Sequence, residues 1–418
     1  MPRLTEDPME TLPDSGEPKV STASPQDQNS ILRRANRLVL VVAKPCNLAC
    51  KYCFTPLAYS GPDFDPDLMS SEVAHQAVGI FLRLLPDGLA SIQFFGGEPI
   101  LNWDVIENTV QHAGHVSRLV GRKLPSFTIV TNGTLLDESK VDFLARHAFL
   151  VTVSLDGRAA VNDQQRVFPD GSGTFSRIAK SVQLLAARKI PLKCQATYTR
   201  AHVANRVSPV EVVRDLRQLG FETVHLVPAA GIWGLANLDE DTKEELTQAF
   251  FRLGGFGMDG ICAQEPVRIT QVTNTLFALL ARERRRHVCP AGIDSFAVST
   301  NGTIYPCYVM MNDQRWRMGN VWDDVWPGGT FAHARGHYLA LQRDKFQECM
   351  PCPARDICSL CYGYRYFTSG DIGPPGGIVC SCFKGLAAGV IEAFGRIKAC
   401  PERWRKLQEK IGQGTIFG

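Results

Sequence analysis

Six short apolar runs alternate with longer amphipathic stretches between Arg37 and Ala229. The runs are "RLVLVV" (37–42), "SIQFFG" (91–96), "SFTIVTN" (126–132), "LVTVSLDG" (150–157), "LKCQATYT" (192–199) and "TVHLVPA" (223–229). Each has strand length and is rich in β-branched or aromatic residues. Helix-length stretches lie between them at 70–85, 104–120, 137–148 and 175–189. The first opens on serines with Glu72 in its first turn, a helix-start signal. This alternation predicts an α/β fold with a parallel sheet and right-handed crossovers. The expected form is a partial (β/α)6, TIM-like barrel. In such folds chemistry gathers at the C-terminal ends of the strands.

The pattern changes outside that region. Residues 1–30 are rich in Pro, Ser, Asp and Glu and nearly free of aromatics, so a disordered tail is expected. The barrel is assigned to 37–235, and a bridge, 236–288, begins with the polar helical stretch "DEDTKEELTQAFFRLGG". A cysteine-rich region fills 289–383. The segment 384–418 reads as one amphipathic helix or two.

Composition narrows the class. Net charge is +3 over 418 residues, which gives no footprint for nucleic acid or a membrane surface. No uninterrupted run of about 18 apolar residues suggests a membrane span. The N-terminus has no apolar segment of the kind a secretory signal carries. Fourteen cysteines in such a chain point to metal or redox chemistry in a cytoplasmic protein rather than to disulfides.

Cys46, Cys50 and Cys53 form CxxxCxxC directly after the first apolar run, in "PCNLACKYCF". A structural zinc site wants four ligands, and no His or Asp lies nearby in sequence to complete one. Three thiols can instead hold three irons of a [4Fe–4S] cube and leave the fourth open for a small molecule. The motif resembles that of the radical S-adenosylmethionine (SAM) superfamily. The resemblance implies that SAM chelates the open iron and is cleaved to methionine and a 5′-deoxyadenosyl radical. "FFGGEP" (94–99) matches the family's second-strand motif, and Gly96, Gly97, Glu98 and Pro99 are expected at the SAM amino group. The glycines would let backbone approach it, since no Cβ intervenes. "TNGTLL" (131–136) resembles the next family element and equally suits a turn. Ser154, Asp156 and Arg166 are expected against the ribose and carboxylate of SAM. Arg suits a carboxylate because its planar fork donates twice. The family's HDxxR here begins with Asn162, so its usual histidine is replaced.

The later cysteines resemble a SPASM extension. Without that likeness, "CMPCPARDICSLC" also suits a zinc ribbon. The resemblance implies two auxiliary [4Fe–4S] clusters, three clusters in all. Cys349, Cys352, Cys358 and Cys380 would hold the distal one, and Cys289, Cys307 and Cys361 the proximal one. Cys358-x2-Cys361 is one residue shorter than the usual spacing, and no cysteine shortly precedes Cys289. The proximal cluster is therefore expected to have an open iron, or to be closed by Cys382 or Cys262. Cys194 and Cys400 read as small buried hydrophobes.

SPASM relatives mostly modify peptides by net two-electron oxidation. Sulfatase maturases carry an Asp base after the cysteine equivalent to Cys307; here Tyr308 follows, and an unperturbed phenol titrates near pH 10. The expectation is therefore a maturase that crosslinks a ribosomally made precursor peptide, through a thioether or a carbon–carbon (cyclophane-like) bond. Formylglycine formation and small-molecule dehydrogenation are the enzymatic alternatives, and a non-catalytic electron-transfer protein is the third class. A flavodoxin or ferredoxin is the expected electron donor. About 36 residues precede the first run, so a separate leader-recognition protein, or the bridge, is expected to read any leader. Neither nucleic acid nor membrane is expected as a partner.

Overall fold

The computed structural model describes residues 37–60, 63, 65–85, 88–229, 238, 240–263, 268–281, 291–324 and 327–414. The tail expected at 1–30 and Cys289 lie outside the described residues. All six apolar runs form strands: β1 (Arg37–Ala43), β2 (Ser91–Gly96), β3 (Ser126–Thr131), β4 (Leu150–Ser154), β5 (Leu192–Tyr198) and β6 (Thr223–Pro228). They pair in sequence order, all parallel. From Leu38 to Ala43, β1 is buried at every position, whereas β2 alternates, which matches a continuous apolar run against an interrupted one.

Helices α1 (Ser71–Leu84), α2 (Trp103–Leu119), α3 (Glu138–Arg146), α4 (Ala159–Gln165), α5 (Phe175–Ala187) and α6 (Pro209–Gln218) fill the crossovers. Ser70 and Asp137 cap α1 and α3 through their side chains, as their place before the apolar periodicity suggests. The sequence pattern did not announce α6, although Ser208 and Glu211 form a full capping box at its start.

The sheet does not stop at six strands. A short β7 (Arg268–Ile269) adds beside β6, and β8 (Ser295–Val298) adds parallel to β1. An antiparallel β9 (Ile304–Tyr305) follows β8, giving the order β7-β6-β5-β4-β3-β2-β1-β8-β9. The first part of the cysteine-rich region thus continues the sheet through β8 and β9.

The polar stretch near 239–255 becomes α7 (Lys243–Ile261), and α8 (Thr270–Ala281) follows β7. The C-terminal segment resolves into two helices, α9 (Gly377–Ala399) and α10 (Pro401–Gly412), so the first begins before residue 384. Helix α9 is long and apolar enough by composition to cross a membrane, but most of it is buried inside the protein. It lies directly against α7: a Cβ on Gly385 or Gly389 would fall 2.1 or 2.0 Å from the carbonyl oxygen of Thr247 or Phe251. Its apolar content reflects that packing.

Candidate active site

The loop bearing Cys46, Cys50 and Cys53 leaves the C-terminal end of β1 and is held from both sides. Asn47 donates to Thr134 Oγ1 at 2.9 Å, and Asn132 Nδ2 donates to Asn47 Oδ1 at 2.9 Å. Asn132 Nδ2 also reaches Cys46 Sγ at 3.7 Å. Opposite, the Ala49 and Lys51 amides donate to the carbonyls of Val167 and Gln165, at 2.8 and 3.0 Å. "TNGT" after β3 is therefore a clamp on the cysteine loop, a role its reading as a turn did not reveal. Burial pushes the Cys46 thiol up to about 11 and the Cys50 thiol up to about 12; nearby Arg166 pulls Cys50 the other way.

Gly96 and Gly97 serve the chain itself. A Cβ on Gly96 would lie 2.1 Å from the Ala43 carbonyl oxygen, and one on Gly97 would lie 2.4 Å from those of Lys44 and Pro45. Their missing side chains admit the backbone entering the cysteine loop, where the Gly97 and Glu98 amides donate to Ala43 and Pro45 at 2.8 and 3.0 Å. Glu98 is wholly buried. Its carboxylate accepts from Thr131 Oγ1 and Asn132 N, both at 2.7 Å, and from Ile100 N at 3.1 Å. Burial outweighs these bonds and raises its pKa to about 7. Pro99 is buried and opens the turn Pro99–Asn102.

At the end of β4, Ser154 is half-buried and paired with Gln195 of β5. Asp156 is wholly buried at the centre of a polar network. It accepts from the Tyr52 hydroxyl and, at 2.9 Å, from Thr197 N. Arg166 Nε lies 3.1 Å from its Oδ2, and the guanidinium sits over the Tyr52 ring and 4.0 Å from Cys50 Sγ. Burial works against the Arg166 charge, yet Asp156, Tyr52 and Cys50 outweigh it and hold its pKa above the ordinary value. Tyr52, inside the cysteine motif, was not singled out by sequence reasoning; only its place between two cysteines hinted at it. Asn162, in place of the family's histidine, is buried and donates to Asp163 Oδ1 at 2.9 Å and Thr174 Oγ1 at 3.1 Å.

Cys349, Cys352, Cys358 and Cys380 line one cavity of ≈ 540 Å³. Cys382 does not join them: it is buried in the apolar core on α9. Cys307 follows β9 and is half-buried, and Cys361 is exposed, with its sulfur 3.3 Å from the Gly363 amide. Cys262 ends α7 beside Arg403 and Lys410, and Cys194 is buried within β5. Tyr308 lies with its ring centroid 4.2 Å from that of Phe95 and 6.2 Å from that of Phe54, the residue after Cys53. The segments carrying Cys53 and Cys307 thus meet through aromatic rings.

Among the described residues no three His, Cys, Asp or Glu side chains converge as ligands of one metal ion. Three thiols on one loop and four around one cavity are donor sets that iron–sulfur clusters take.

Residues 40–201 match the model of the radical SAM superfamily, and residues 289–353 match that of SPASM, an iron–sulfur cluster-binding domain. The chain thus carries a radical SAM domain and a SPASM domain, and the cofactor classes these domains support are SAM and iron–sulfur clusters. The cysteine-type anaerobic sulfatase-maturating enzyme of Clostridium perfringens (strain ATCC 13124) is 26% identical over 326 residues, 77% of this chain and 86% of that one. The solved structure of native anSMEcpe with bound AdoMet and Cp18Cys peptide superposes with a TM-score of 0.70 at 21% identity, covering 86% of this chain and 98% of that one. Streptococcus suis SuiB bound to precursor peptide SuiA gives a TM-score of 0.58 at 17% identity, covering 84% and 77%.

Proposed function

We propose that this protein is a peptide-modifying radical SAM oxidoreductase that forms an intramolecular crosslink in a ribosomally made precursor peptide. The observation that carries the reading is the presence, in one chain, of a three-thiol loop at the end of β1 and a separate four-thiol cavity. A three-thiol site leaves a coordination position for a small molecule, whereas a four-thiol site is closed and suits electron transfer. A [4Fe–4S] cluster held in this loop would supply the electron for reductive cleavage of SAM to methionine and a 5′-deoxyadenosyl radical. Cys46, Cys50 and Cys53 are assigned as its ligands.

Gly96, Gly97, Glu98 and Pro99 shape the wall beside the loop. Glu98 acts mainly through Thr131 and Asn132, fixing the clamp on Cys46. Arg166 presents a permanent cation at the rim, and Asp156 and Tyr52 hold it there; Ser154 stands at the same strand end. Cys349, Cys352, Cys358 and Cys380 are assigned to the distal auxiliary cluster. Cys307, Cys361 and Cys289 are assigned to the proximal one, three clusters in all. Cys382 is withdrawn from the ligand set because it points into the core. Removing two hydrogens from the peptide and joining the two atoms gives a thioether or carbon–carbon bond. A flavodoxin or ferredoxin is the proposed donor, and a separate protein the proposed leader reader.

Formylglycine formation is the second reading, favoured by the extent of the likeness to a sulfatase-maturating enzyme. Tyr308 weighs against it. It occupies the position of the maturases' carboxylate base and is packed between Phe54 and Phe95. Anaerobically reconstituted protein with SAM, dithionite and candidate precursor peptides separates the two by mass spectrometry. Loss of two hydrogens with all sulfur retained, no aldehyde formed and two residues joined in the fragment spectrum supports a crosslink. A Ser oxidised to formylglycine also loses two hydrogens but gives an aldehyde and no joined residues. Exchange of cysteine sulfur for oxygen would identify formylglycine and remove the crosslink reading.

A further inference from the structure

The two faces of the parallel sheet are built differently. On one, Val151, Val153, Cys194, Ala196 and Val224 share the large apolar core with Leu185 of α5 and Leu216 of α6. The alternate residues point the other way. On β1 these are Arg37, Val39 and Val41, and the two valines pack with Phe95, Phe54 and Tyr308. The same face carries Gln93, Thr128, Thr152 and Gln195, all half-buried. A closed barrel fills its interior with branched apolar side chains. Here β2, β3, β4 and β5 line it with polar groups instead.

Three basic side chains belong to that face, near the strand ends remote from the cysteine loop. Arg37 opens β1, Lys193 is the second residue of β5 and His225 is the third of β6. Lys193 pairs with Thr223 and Gln195 with His225, so Lys193 and His225 are diagonal neighbours on adjacent strands. Arg37 Nε donates to Ser295 Oγ of β8 at 3.0 Å, which holds the guanidinium on the same face. Burial lowers the pKa of Lys193, and Arg37 adds to the effect although β2, β3 and β4 separate their strands. In a flat sheet those two strands would stand about 19 Å apart, where screened charges scarcely interact. The sheet curls and brings them together. Burial also pushes His225 down to about 4, with Lys193 contributing. Neither Lys193 nor His225 makes a hydrogen bond or ion pair among the described residues, and no carboxylate there acts on either. A half-buried ammonium beside a second cation is costly until an anion joins it.

We infer that Arg37, Lys193 and His225 form an anion-binding site on the concave face of the sheet, and that its ligand is a carboxylate of the substrate peptide. That the ligand is a peptide rests on the proposed function. Arg37 offers a planar fork, Lys193 a point charge and His225 a neutral N–H donor. The carboxylates a peptide can bring are its Asp and Glu side chains and its own C-terminus. From Arg37 to Ala43, β1 rises about 20 Å. About six residues of extended peptide cover that span, so the anchoring carboxylate belongs about six residues from the residue presented at the cysteine loop.

The anaerobically reconstituted full chain, with SAM present and iron counted, is tested with two kinds of probe. Glutarate, with neutral glutaramide as its control, tests the anion site through melting temperature. Glutarate should stabilise the wild type and Lys193→Arg but not Lys193→Gln, and His225→Gln should respond less than the wild type. No rise in the wild type, or an equal rise in iron-loaded Lys193→Gln and His225→Gln, overturns the inference. Capture from octapeptide libraries tests the ligand class. One library holds a single Glu and a second holds Gln in its place, both blocked at each end; a third repeats the Gln library with a free C-terminus. The wild type should retain Glu or free-acid peptides several-fold over blocked Gln peptides, and the enriched library tells side-chain from terminal carboxylates. Lys193→Gln should retain all three alike. Retention by the wild type without acid preference overturns the peptide carboxylate as ligand. Stabilisation by glutarate with no peptide retained from any library contradicts the peptide function and leaves the anion site standing.

Discussion

Asp156 and Arg166 face each other at 3.1 Å with almost no solvent around either. Removing one partner of such a pair strands the other charge, which typically costs about 3–5 kcal/mol. Asp156→Ala should lower the stability of the reconstituted protein by about that much in urea unfolding and weaken SAM binding by calorimetry. A loss under about 1 kcal/mol, the range of an exposed pair, would show that the network does not hold Arg166. Glu98 carries a pH dependence of the opposite kind. Its folded pKa of about 7 lies above the ordinary carboxyl value of 4.5, so between those values the folded chain holds a proton that the unfolded chain releases. Its contribution is complete below about pH 4.5 and is lost as pH rises through 7, by about 3 kcal/mol at most. Melting temperatures of the wild type should therefore carry a downward component from pH 5 to 7.5 that Glu98→Gln lacks. Identical slopes in the two proteins would contradict this.

At the scale of elements, one buried carboxylate downstream of the cysteine loop is tied to the turn between β8 and β9 and to β9 itself. Asp63, 5% exposed, accepts from Thr303 Oγ1 at 3.0 Å, Asn301 Nδ2 at 3.2 Å, Gln314 Nε2 at 2.8 Å and the Tyr305 hydroxyl. Burial alone would raise its pKa, but these donors together hold it below the ordinary carboxylate value. The contribution is therefore present above the ordinary carboxylate range and is lost as pH falls through the depressed value. Asp63→Ala leaves several donors unsatisfied and should cost about 3 kcal/mol. It should also raise the number of 5′-deoxyadenosine molecules made per modified peptide, because the segments bearing Cys53 and Cys307 lose their tie. Unchanged stability and an unchanged ratio would leave the tie without consequence. The six strands were legible because each apolar run is short and bounded. Helix α6 went unread although its start carries the Ser208/Glu211 box with a proline at the first position, and Val212, Val213 and Leu216 share one buried face. Strand β8 was hidden because its partner β1 is far away in sequence, and β9, which pairs with β8, is only two residues long.

Across the whole molecule, the sequence motifs located the chemistry but not its supports. Cys46, Cys50 and Cys53 were legible in their spacing and its likeness to the radical SAM motif, whereas the cysteines that line one cavity were proposed through the resemblance to SPASM. Spacing could not choose between Cys380 and Cys382, since only the turn of α9 decides which faces the cavity and which the core. Nor could it show Asn132, Tyr52 or Asp63, whose partners are distant in sequence. Gly96 and Gly97 were found by motif, while their contact with Ala43–Pro45 appeared only in three dimensions. The central claim is that the loop of Cys46, Cys50 and Cys53 carries SAM chemistry. Its most direct measurement is 5′-deoxyadenosine formed from SAM by the anaerobically reconstituted, dithionite-reduced chain and by its Cys46→Ala/Cys50→Ala/Cys53→Ala variant. The account predicts 5′-deoxyadenosine from the wild type and none from the variant, which keeps the iron of its other sites. No cleavage by a fully loaded wild type, or equal cleavage by both, would contradict it.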